Sequence, residues 1–289
     1  MIQDISPEQM DNAYRNISPA PDSRVMHFRQ GRILAAYDEA AELIRFPAFQ
    51  DFEPSPECTY LFSISGISYF LALTEEGAPA DGERYSMQEL RGLRLRGNTD
   101  IFAAYTAYHL WNWYRTSRYC GACGEETETD DRERAKVCPG CGNRIYPRIN
   151  PAVIVGVING ENLLITRYRN GFRHNALVAG FTEIGETAEE TVIREVREET
   201  GLKVRNIRYY KSQPWGIASD LLMGFYCEVD GDETIHMDTG ELRYAEWVPR
   251  KEIELQPSDY SLTNEMMRMF REGKQEKLQR DEAEREETR

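Results

Sequence analysis

Apolar residues in the first part of the chain form short runs that predict strands and one helix. The runs Tyr60–Ile64 and Ile67–Leu73 flank a Ser-Gly pair, a pattern typical of two strands joined by a tight turn. The segment Asp100–Arg115 places apolar residues three and four positions apart, which predicts a helix. Asp100 is its expected N-cap, and we expect its aromatic residues in a core or a subunit interface.

The later part of the chain alternates apolar runs with turn residues. A continuous apolar run after Pro151 is typical of a buried strand, and Asn159-Gly160 indicates a hairpin to the next one. The predicted strands are 151–158, 162–168, 176–180, 204–211, 221–229 and 244–248. Because strands outnumber helices and their connections are mixed, the pattern favours a mixed sheet flanked by helices over a doubly wound sheet.

One amphipathic helix stands among these strands. The order Thr187-Ala-Glu-Glu190 is a capping box that predicts its start, and Gly201 predicts its end. Apolar residues, Val192 and Val196 among them, give the helix a face that can be buried. At 3.6 residues per turn, three carboxylates fall within an arc of roughly 100° beside that face. They are Glu195, Glu198 and Glu199.

Carboxylates packed on one arc repel each other, so their placement needs an explanation. A solvated acidic helix is one interpretation, because most charge runs are solvated. A hard divalent cation is the other, since Mg²⁺ and Mn²⁺ prefer oxygen ligands and neutralise the repulsion. Arg194 lies four residues before Glu198, the less favourable order for a helical ion pair, which favours a role in orienting carboxylates.

Composition and charge restrict the class of protein. The chain has 289 residues, enough for two modest domains, and its net charge of −14 argues against tight, sequence-independent nucleic-acid binding. No run approaches the ~20 apolar residues of a membrane helix, and the N-terminus lacks the order of a signal peptide. We therefore expect a soluble cytoplasmic protein with no membrane partner.

Four of the six cysteines form two C-x-x-C pairs separated by fourteen residues: Cys120, Cys123, Cys138 and Cys141. A Gly follows each pair and allows the tight turn that points sulfur atoms at one ion. Four thiolates at this spacing predict a closed, structural Zn²⁺ site. A redox dithiol is the rival interpretation, and the presence of two pairs argues against it.

The stretch from Gly180 to Leu202 resembles the Nudix box, G-x5-E-x7-R-E-U-x-E-E-x-G-U, where U is aliphatic. The matching positions are Gly180, Glu186, Arg194, Glu195, Val196, Glu198, Glu199, Gly201 and Leu202. The resemblance implies an α+β chain with the Nudix α/β/α sandwich and its mixed sheet. It also implies hydrolysis of a nucleoside diphosphate linked to another moiety, assisted by Mg²⁺ or Mn²⁺.

The order of segments is similar to that of the NADH pyrophosphatase group of Nudix hydrolases. We expect a smaller N-terminal α+β domain at 1–116, a four-Cys zinc ribbon at 117–147, the Nudix domain at 148–272 and a charged tail at 273–289. The segment Tyr146–Pro151 and the stretch Ser212-Gln-Pro-Trp215 resemble their counterparts in that group. The resemblance further implies a homodimer.

This resemblance also implies substrate-binding residues. The indole of Trp215 offers a plane on which an adenine or nicotinamide ring can stack, and a core position is the alternative. Gln213 is expected to bond ring or ribose edges. The group's Pro-Phe-Pro is replaced here by Gly-Ile-Ala, which removes an aromatic ring and makes the loop more mobile. The expected substrate-binding residues are Glu133, Tyr146, Gln213, Pro214, Trp215, Gly216, Ile217, Ala218, Ser219 and Asp220.

Metal-binding and catalytic roles carry over in the same way. The expected ligands of Mg²⁺ or Mn²⁺ are the Ala179 carbonyl and the side chains of Glu195, Glu199 and Glu241, with Glu246 as the alternative to Glu241. The expected catalytic residues are Arg194, Glu195, Glu198 and Glu199. Arg194 would orient carboxylates, and either Glu198 or Glu199 would act as the base.

The expected reaction is hydrolysis of the pyrophosphate bond of NAD(H) to NMN(H) and AMP. The alternatives within the class are removal of NAD caps from RNA 5′ ends and hydrolysis of another derivative such as ADP-ribose. A rival of another class is a nucleotide-sensing or zinc-dependent interaction module with a silent Nudix domain. The intact carboxylate set argues against that rival.

Overall fold

A computed structural model describes residues 1–73, 84–93, 97–171 and 173–275. Most of the expected charged tail, residues 276–289, lies outside the described residues. The chain divides into two compact units: residues 2–149 with 215–219, and Met1 with residues 150–214 and those from Asp220 onward. Among the described residues, no helix has the length and apolarity of a bilayer-spanning segment.

The first unit is built from short strands and one long helix. Its strands are β1 (Met10–Asp11), β2 (Arg24–Met26), β3 (Phe28–Arg29), β4 (Arg32–Asp38), β5 (Leu43–Arg45), β6 (Cys58–Ile64), β7 (Ile67–Ala72), β8 (Ser86–Gln88), β9 (Glu128–Thr129), β10 (Lys136–Val137) and β11 (Arg144–Ile145). They form sheets in the orders β1-β6-β7-β2, β3-β4-β5 with β8 beside β4, and β11-β10-β9. The predicted hairpin at the Ser-Gly pair is confirmed as the antiparallel pair β6–β7.

Helix α1 (Thr99–Thr116) confirms the predicted aromatic helix. Its N-cap is Asn98 rather than Asp100, because the helix begins at Thr99, two residues earlier than a cap at Asp100 predicts. Tyr105, Trp113 and Tyr114 are buried, as expected for core aromatics. The ring of Trp111 stacks on Phe28 at 5.3 Å between centroids, so this side of the helix packs within its own unit.

The second unit contains a six-stranded mixed sheet, as predicted. Its elements are β12 (Asn150–Asn159), β13 (Asn162–Tyr168), β14 (Val178–Phe181), α2 (Ala188–Thr200), β15 (Val204–Trp215), β16 (Asp220–Val229), β17 (Leu242–Pro249) and α3 (Leu262–Arg271). The strand order is β15-β16-β12-β13-β17, with β14 also paired to β12. Strands β12 and β16 run parallel, whereas β13 and β14 pair with β12 in the antiparallel sense.

Side chains on β12 alternate between two apolar cores, one on each face of the sheet. Val153, Val155 and Val157 pack in the cluster that contains Val192 and Val196 of α2. The opposite face carries a second cluster, in which Met266, Met267 and Phe270 of α3 pack against β12, β13 and β16. Helices therefore cover both faces of the sheet, which is the α/β/α layering expected from the sequence.

Local signals at α2 set its two ends. The Thr187 hydroxyl accepts from the Glu190 backbone N–H at 3.2 Å, and the Glu190 carboxylate accepts from the Thr187 N–H at 2.8 Å, which confirms the capping box. Gly201 ends the helix with φ of 74°, a left-handed conformation that favours glycine. Residues at the two ends of the helix therefore determine where it begins and ends.

Candidate active site

Strand β14 passes close to α2 at Gly180. A Cβ atom at this position would lie about 2 Å from the carboxylate of Glu195, at 1.9 to 2.2 Å from its three terminal atoms. Only glycine leaves room for that carboxylate to stand between the strand and the helix. The Glu195 side chain is largely buried as a result, and burial raises its pKa while Arg194 lowers it.

Arg194 connects the carboxylates of the helix to the loop before it. Its guanidinium donates to both oxygens of Glu186 at 2.6 and 2.9 Å, to Glu195 at 2.7 Å and to Glu198 at 3.0 Å. It also donates to the Phe181 carbonyl at 2.9 Å. The bonds from Arg194 to Glu186, together with a bond from the Glu183 N–H, lower the pKa of Glu186 to about 2. One side chain thereby fixes the geometry of loop and helix.

Glu199 is the most buried carboxylate of the helix, with 2% of the residue exposed. Burial raises its pKa to about 8, and the negative charges of Glu195 and Glu241 contribute to the same shift. The Tyr168 hydroxyl lies 3.3 Å from Glu199 Oε1 and 3.5 Å from Oε2. A carboxylate in this position is more stable when a cation lies beside it.

Sequence analysis missed Tyr168, which the structure places at the centre of the site. Its phenolic oxygen accepts from the Ala179 backbone N–H at 3.0 Å, and its O–H lies 3.3 Å from the Ala179 carbonyl oxygen. Tyr168 shares a strand and a parity with Leu164, a member of the cluster that packs on α2. That alternation was the signal in the sequence, because it directs position 168 toward the helix.

The residues around α2 fit a hard divalent cation. The expected donors are all oxygens, namely the carboxylates of Glu195, Glu199 and Glu241 and the carbonyl of Ala179. Oxygen-only donor sets suit Mg²⁺ and Mn²⁺. Burial and the neighbouring charges of Glu195 and Glu241 raise the pKa of Glu199, and a bound cation would offset both effects.

The four cysteines of the ribbon gather as predicted. Their sulfur atoms all lie within 4.8 Å of one another, with 3.6 Å between Cys120 and Cys141 and 3.4 Å between Cys123 and Cys138. Tetrahedral zinc with Zn–S bonds of about 2.3 Å requires S···S distances of about 3.8 Å, so the cage fits this ion. Backbone N–H groups of Ala122 and Cys123 lower the pKa of Cys120 to about 6, which favours the thiolate.

Two expected substrate-binding residues of the ribbon region come together. The Tyr146 hydroxyl donates to Glu133 Oε1 at 3.0 Å, and both side chains are exposed. Arg144, which sequence analysis did not single out, pairs with Glu133 and donates to Asp130 at 2.8 Å. The four residues therefore form one hydrogen-bonded group at the surface of the ribbon.

The Ser212–Trp215 stretch lies within β15, which is four residues longer than predicted. Gln213 is fully buried, and its amide donates to the Tyr260 carbonyl at 2.7 Å and accepts from the Leu262 N–H at 2.7 Å. Both ends of the amide thus hold the start of α3. This placement does not support the expected contact of Gln213 with ring or ribose edges.

Trp215 and Gly216 pack against α1 in the first unit. The indole of Trp215 is half-buried and meets the Tyr105 ring edge-on, with 5.3 Å between centroids. A Cβ on Gly216 would lie 2.0 Å from the Tyr105 carbonyl oxygen. The glycine therefore provides close backbone approach rather than the mobility expected from the sequence.

The remaining expected substrate-binding residues differ in exposure. Pro214 is exposed, and residues 217–219 are half-buried. Asp220 is buried, and within the described part of the chain its Oδ1 atom has no hydrogen-bond partner. Burial raises the pKa of Asp220 to about 6, against the effect of a hydrogen bond with Asn150.

Comparison with known proteins finds three family models along the chain. Residues 22–113 match the NADH pyrophosphatase-like rudimentary NUDIX domain, residues 115–146 match the NADH pyrophosphatase zinc ribbon domain, and residues 148–271 match the NUDIX domain. The matches follow one another in the order that the sequence predicted.

Similar proteins include the NAD-capped RNA hydrolase NudC of several Escherichia coli strains. These relatives are 41% identical over 151 residues, which make up 51% of this chain and 58% of theirs. A solved NUDIX hydrolase from Nitrosomonas europaea aligns with a TM-score of 0.48 and 20% identity, over 54% of this chain and 90% of that one. With the NUDIX match over residues 148–271 and the Nudix box on α2, this part of the chain is a Nudix domain, and it follows segments that match the rudimentary NUDIX domain and the zinc ribbon of NADH pyrophosphatases.

Proposed function

We propose that this protein hydrolyses the pyrophosphate bond of NAD(H) to give NMN(H) and AMP. The observation that carries the proposal is the buried Glu199 beside Glu195 on α2, in a chain whose two other domains match NADH pyrophosphatase models. A silent Nudix domain would have no use for repelling carboxylates in a partly buried site. The relatives named NAD-capped RNA hydrolase support a dinucleotide substrate.

In this proposal, Glu195, Glu199, Glu241 and the Ala179 carbonyl hold Mg²⁺ or Mn²⁺. A divalent cation bound there neutralises pyrophosphate charge and lowers the pKa of a water molecule. Arg194 keeps Glu195 and Glu198 in fixed positions through its hydrogen bonds. Glu198 is exposed to solvent and Glu199 is buried, and one of the two accepts the proton of the attacking water.

Substrate contacts are assigned to two groups of residues. Stacking of a base or nicotinamide ring on Trp215 would contribute about 1–3 kcal/mol, by analogy with base–aromatic stacking. Glu133 and Tyr146 offer an exposed acceptor and an aromatic ring, with Arg144 orienting Glu133. We assign Gln213 the structural task of holding the start of α3.

The NAD-capped 5′ end of RNA is the second candidate substrate, because the similar E. coli proteins are named for that activity. The net charge of −14 disfavours extensive contact with an RNA backbone, whereas recognition of a cap needs little of it.

Further parts of the proposal are a homodimer, a reducing cytoplasmic setting that keeps the four thiols available for zinc, and the domain limits 1–116, 117–147, 148–272 and 273–289.

The test is a substrate panel with Mn²⁺. Purified protein is incubated with NADH, NAD⁺, NAD-capped RNA, ADP-ribose and diadenosine polyphosphates, and products are separated by chromatography. We expect NMNH and AMP from NADH, with turnover reduced by orders of magnitude in Glu199→Gln. Near wild-type turnover in Glu199→Gln would contradict the assignment of the site, and faster cleavage of another substrate would replace the first candidate.

A further inference from the structure

Tyr168 lies within reach of two expected cation ligands, the Ala179 carbonyl and the Glu199 carboxylate. Its phenolic oxygen accepts the Ala179 N–H, and its O–H lies within 3.3 Å of both the Ala179 carbonyl and Glu199 Oε1. Tyr168 belongs to β13, so the sheet rather than a loop sets the position of its hydroxyl. Loop residues are less well suited to hold two ligands at a constant distance.

A phenol has a single proton to donate. The acceptors in reach are the Glu199 carboxylate and the carbonyls of Ala179 and Leu177, all at 3.3 to 3.5 Å. An ionised carboxylate is the strongest acceptor of the three. The proton therefore goes to Glu199 when that group is a ligand, and the Ala179 carbonyl keeps its lone pairs for the cation.

The backbone around Tyr168 also departs from regular pairing. Arg167 lies opposite Tyr244, whereas Tyr168 lies opposite Leu242, so strand β17 bulges at Arg243. Bulges change the direction of side chains and are frequent beside active sites. The bulge brings the end of β13 next to Glu241, whose carbonyl accepts from the N–H of residue 169 at 2.8 Å.

We propose that Tyr168 is a positioning residue that sets the spacing between the Ala179 carbonyl and the Glu199 carboxylate, and through it the affinity of the site for a divalent cation. The inference rests on the proposed function, because it takes these two groups as ligands. Partners that orient metal ligands typically change metal affinity 10–100-fold when they are removed. Tyr168 acts through its neighbours and does not touch the reacting atoms.

The experiment measures Mn²⁺ binding directly, by the electron paramagnetic resonance signal of free Mn²⁺, on zinc-loaded protein. Tyr168→Phe removes one oxygen and is expected to raise the Mn²⁺ dissociation constant 10–100-fold. The Mn²⁺ concentration for half-maximal NADH hydrolysis should rise by a similar factor, while kcat at saturating Mn²⁺ falls much less.

Tyr210→Phe is the matched control. Its hydroxyl donates to Glu265 at 3.0 Å in the cluster on the opposite face of the sheet, so the same atom is lost from a similar bond. We expect Mn²⁺ affinity within twofold of wild type in this variant. Unchanged affinity in Tyr168→Phe would overturn the inference, whereas absence of Mn²⁺ uptake or NADH hydrolysis in wild type would overturn the proposed function instead.

A second measurement covers the case in which Tyr168→Phe does not fold. A 3-fluorotyrosine placed at position 168 keeps the hydroxyl and reports on its surroundings by ¹⁹F resonance. We expect the resonance to shift on saturation with Mg²⁺, because Glu199 and Ala179 then share their oxygens with the cation. A resonance that is the same with and without Mg²⁺ would overturn the inference.

Discussion

At the scale of single residues, the site depends on a carboxylate that is unfavourable without a positive partner. Glu199 is 2% exposed and lies in the field of Glu195 and Glu241. Arg194 does not relieve this repulsion directly, because its bonds go to Glu186, Glu195 and Glu198. The fold therefore disfavours the ionised form of Glu199 unless a cation lies beside it.

The free energy of unfolding of the metal-free protein should depend on pH, because Glu199 is difficult to ionise in the folded state. The pKa of Glu199 is about 8 in the folded state and 4.5 at its ordinary value, so the folded state binds the proton more tightly. This contribution is present below pH 4.5 and is lost as pH rises toward 8, at about 1.4 kcal/mol per pKa unit. We expect Glu199→Gln to be more stable than wild type at pH 8 by a few kcal/mol, measured by urea unfolding. If the difference in unfolding free energy between Glu199→Gln and wild type were the same at pH 4 and pH 8, ionisation of Glu199 would not be its cause.

Gly180→Ala tests the close approach of β14 and α2. The added Cβ would lie about 2 Å from the Glu195 carboxylate, so that side chain must move. We expect Mn²⁺-dependent turnover to fall at least tenfold. Gly121→Ala serves as the control, because a Cβ there meets no atom within 4 Å. Equal turnover in the two variants would show that Glu195 tolerates displacement.

At the scale of elements, helix ends and strands were predicted correctly where the sequence signal was local. The capping box at Thr187, the stop at Gly201 and the continuous apolar run of β12 each act within a few residues, and the structure contains all three. The extension of β15 to Trp215 and the bulge beside Tyr168 depend on partners far along the chain. The position of Gln213 at the start of α3 also depends on a distant partner, Leu262. The local sequence therefore gave no sign that Gln213 would be buried.

The capping box gives an element-scale prediction. Thr187→Ala removes the acceptor of the Glu190 N–H and leaves that donor without its side-chain partner. We expect a loss of about 1 kcal/mol in the free energy of unfolding, typical of N-cap removal. Thr187→Ser keeps the hydroxyl and should stay within about 0.5 kcal/mol of wild type. Denaturant unfolding at constant zinc measures both, and equal losses would contradict the capping role.

At the scale of the whole molecule, the chain combines a zinc ribbon, a rudimentary Nudix domain and a Nudix domain, each matched by its own family model. The cysteine spacing and the Nudix box were sufficient to predict the ribbon and the helix that carries the clustered carboxylates. The rudimentary Nudix character of residues 22–113 was not predictable, because its short strands carry no box motif of their own.

The zinc prediction belongs at this scale. The cage of four sulfur atoms within 4.8 Å should bind one Zn²⁺ per chain, measured by atomic absorption. Chelation should lower the melting temperature, because the ribbon strands are only two residues long and depend on the cage. Cys138→Ser should have the same effect without chelator. Full thermal stability after complete demetallation would contradict a structural role.

The central claim is that the carboxylates of α2 hold the divalent cation that supports pyrophosphate hydrolysis. The most direct measurement is a Mn²⁺ titration of zinc-loaded wild type and Glu199→Gln, with NADH turnover recorded at each point. Saturable uptake in wild type that runs parallel to turnover, and loss of both in Glu199→Gln, is the predicted result. Turnover without Mn²⁺ uptake, or uptake that Glu199→Gln leaves unchanged, would contradict the account.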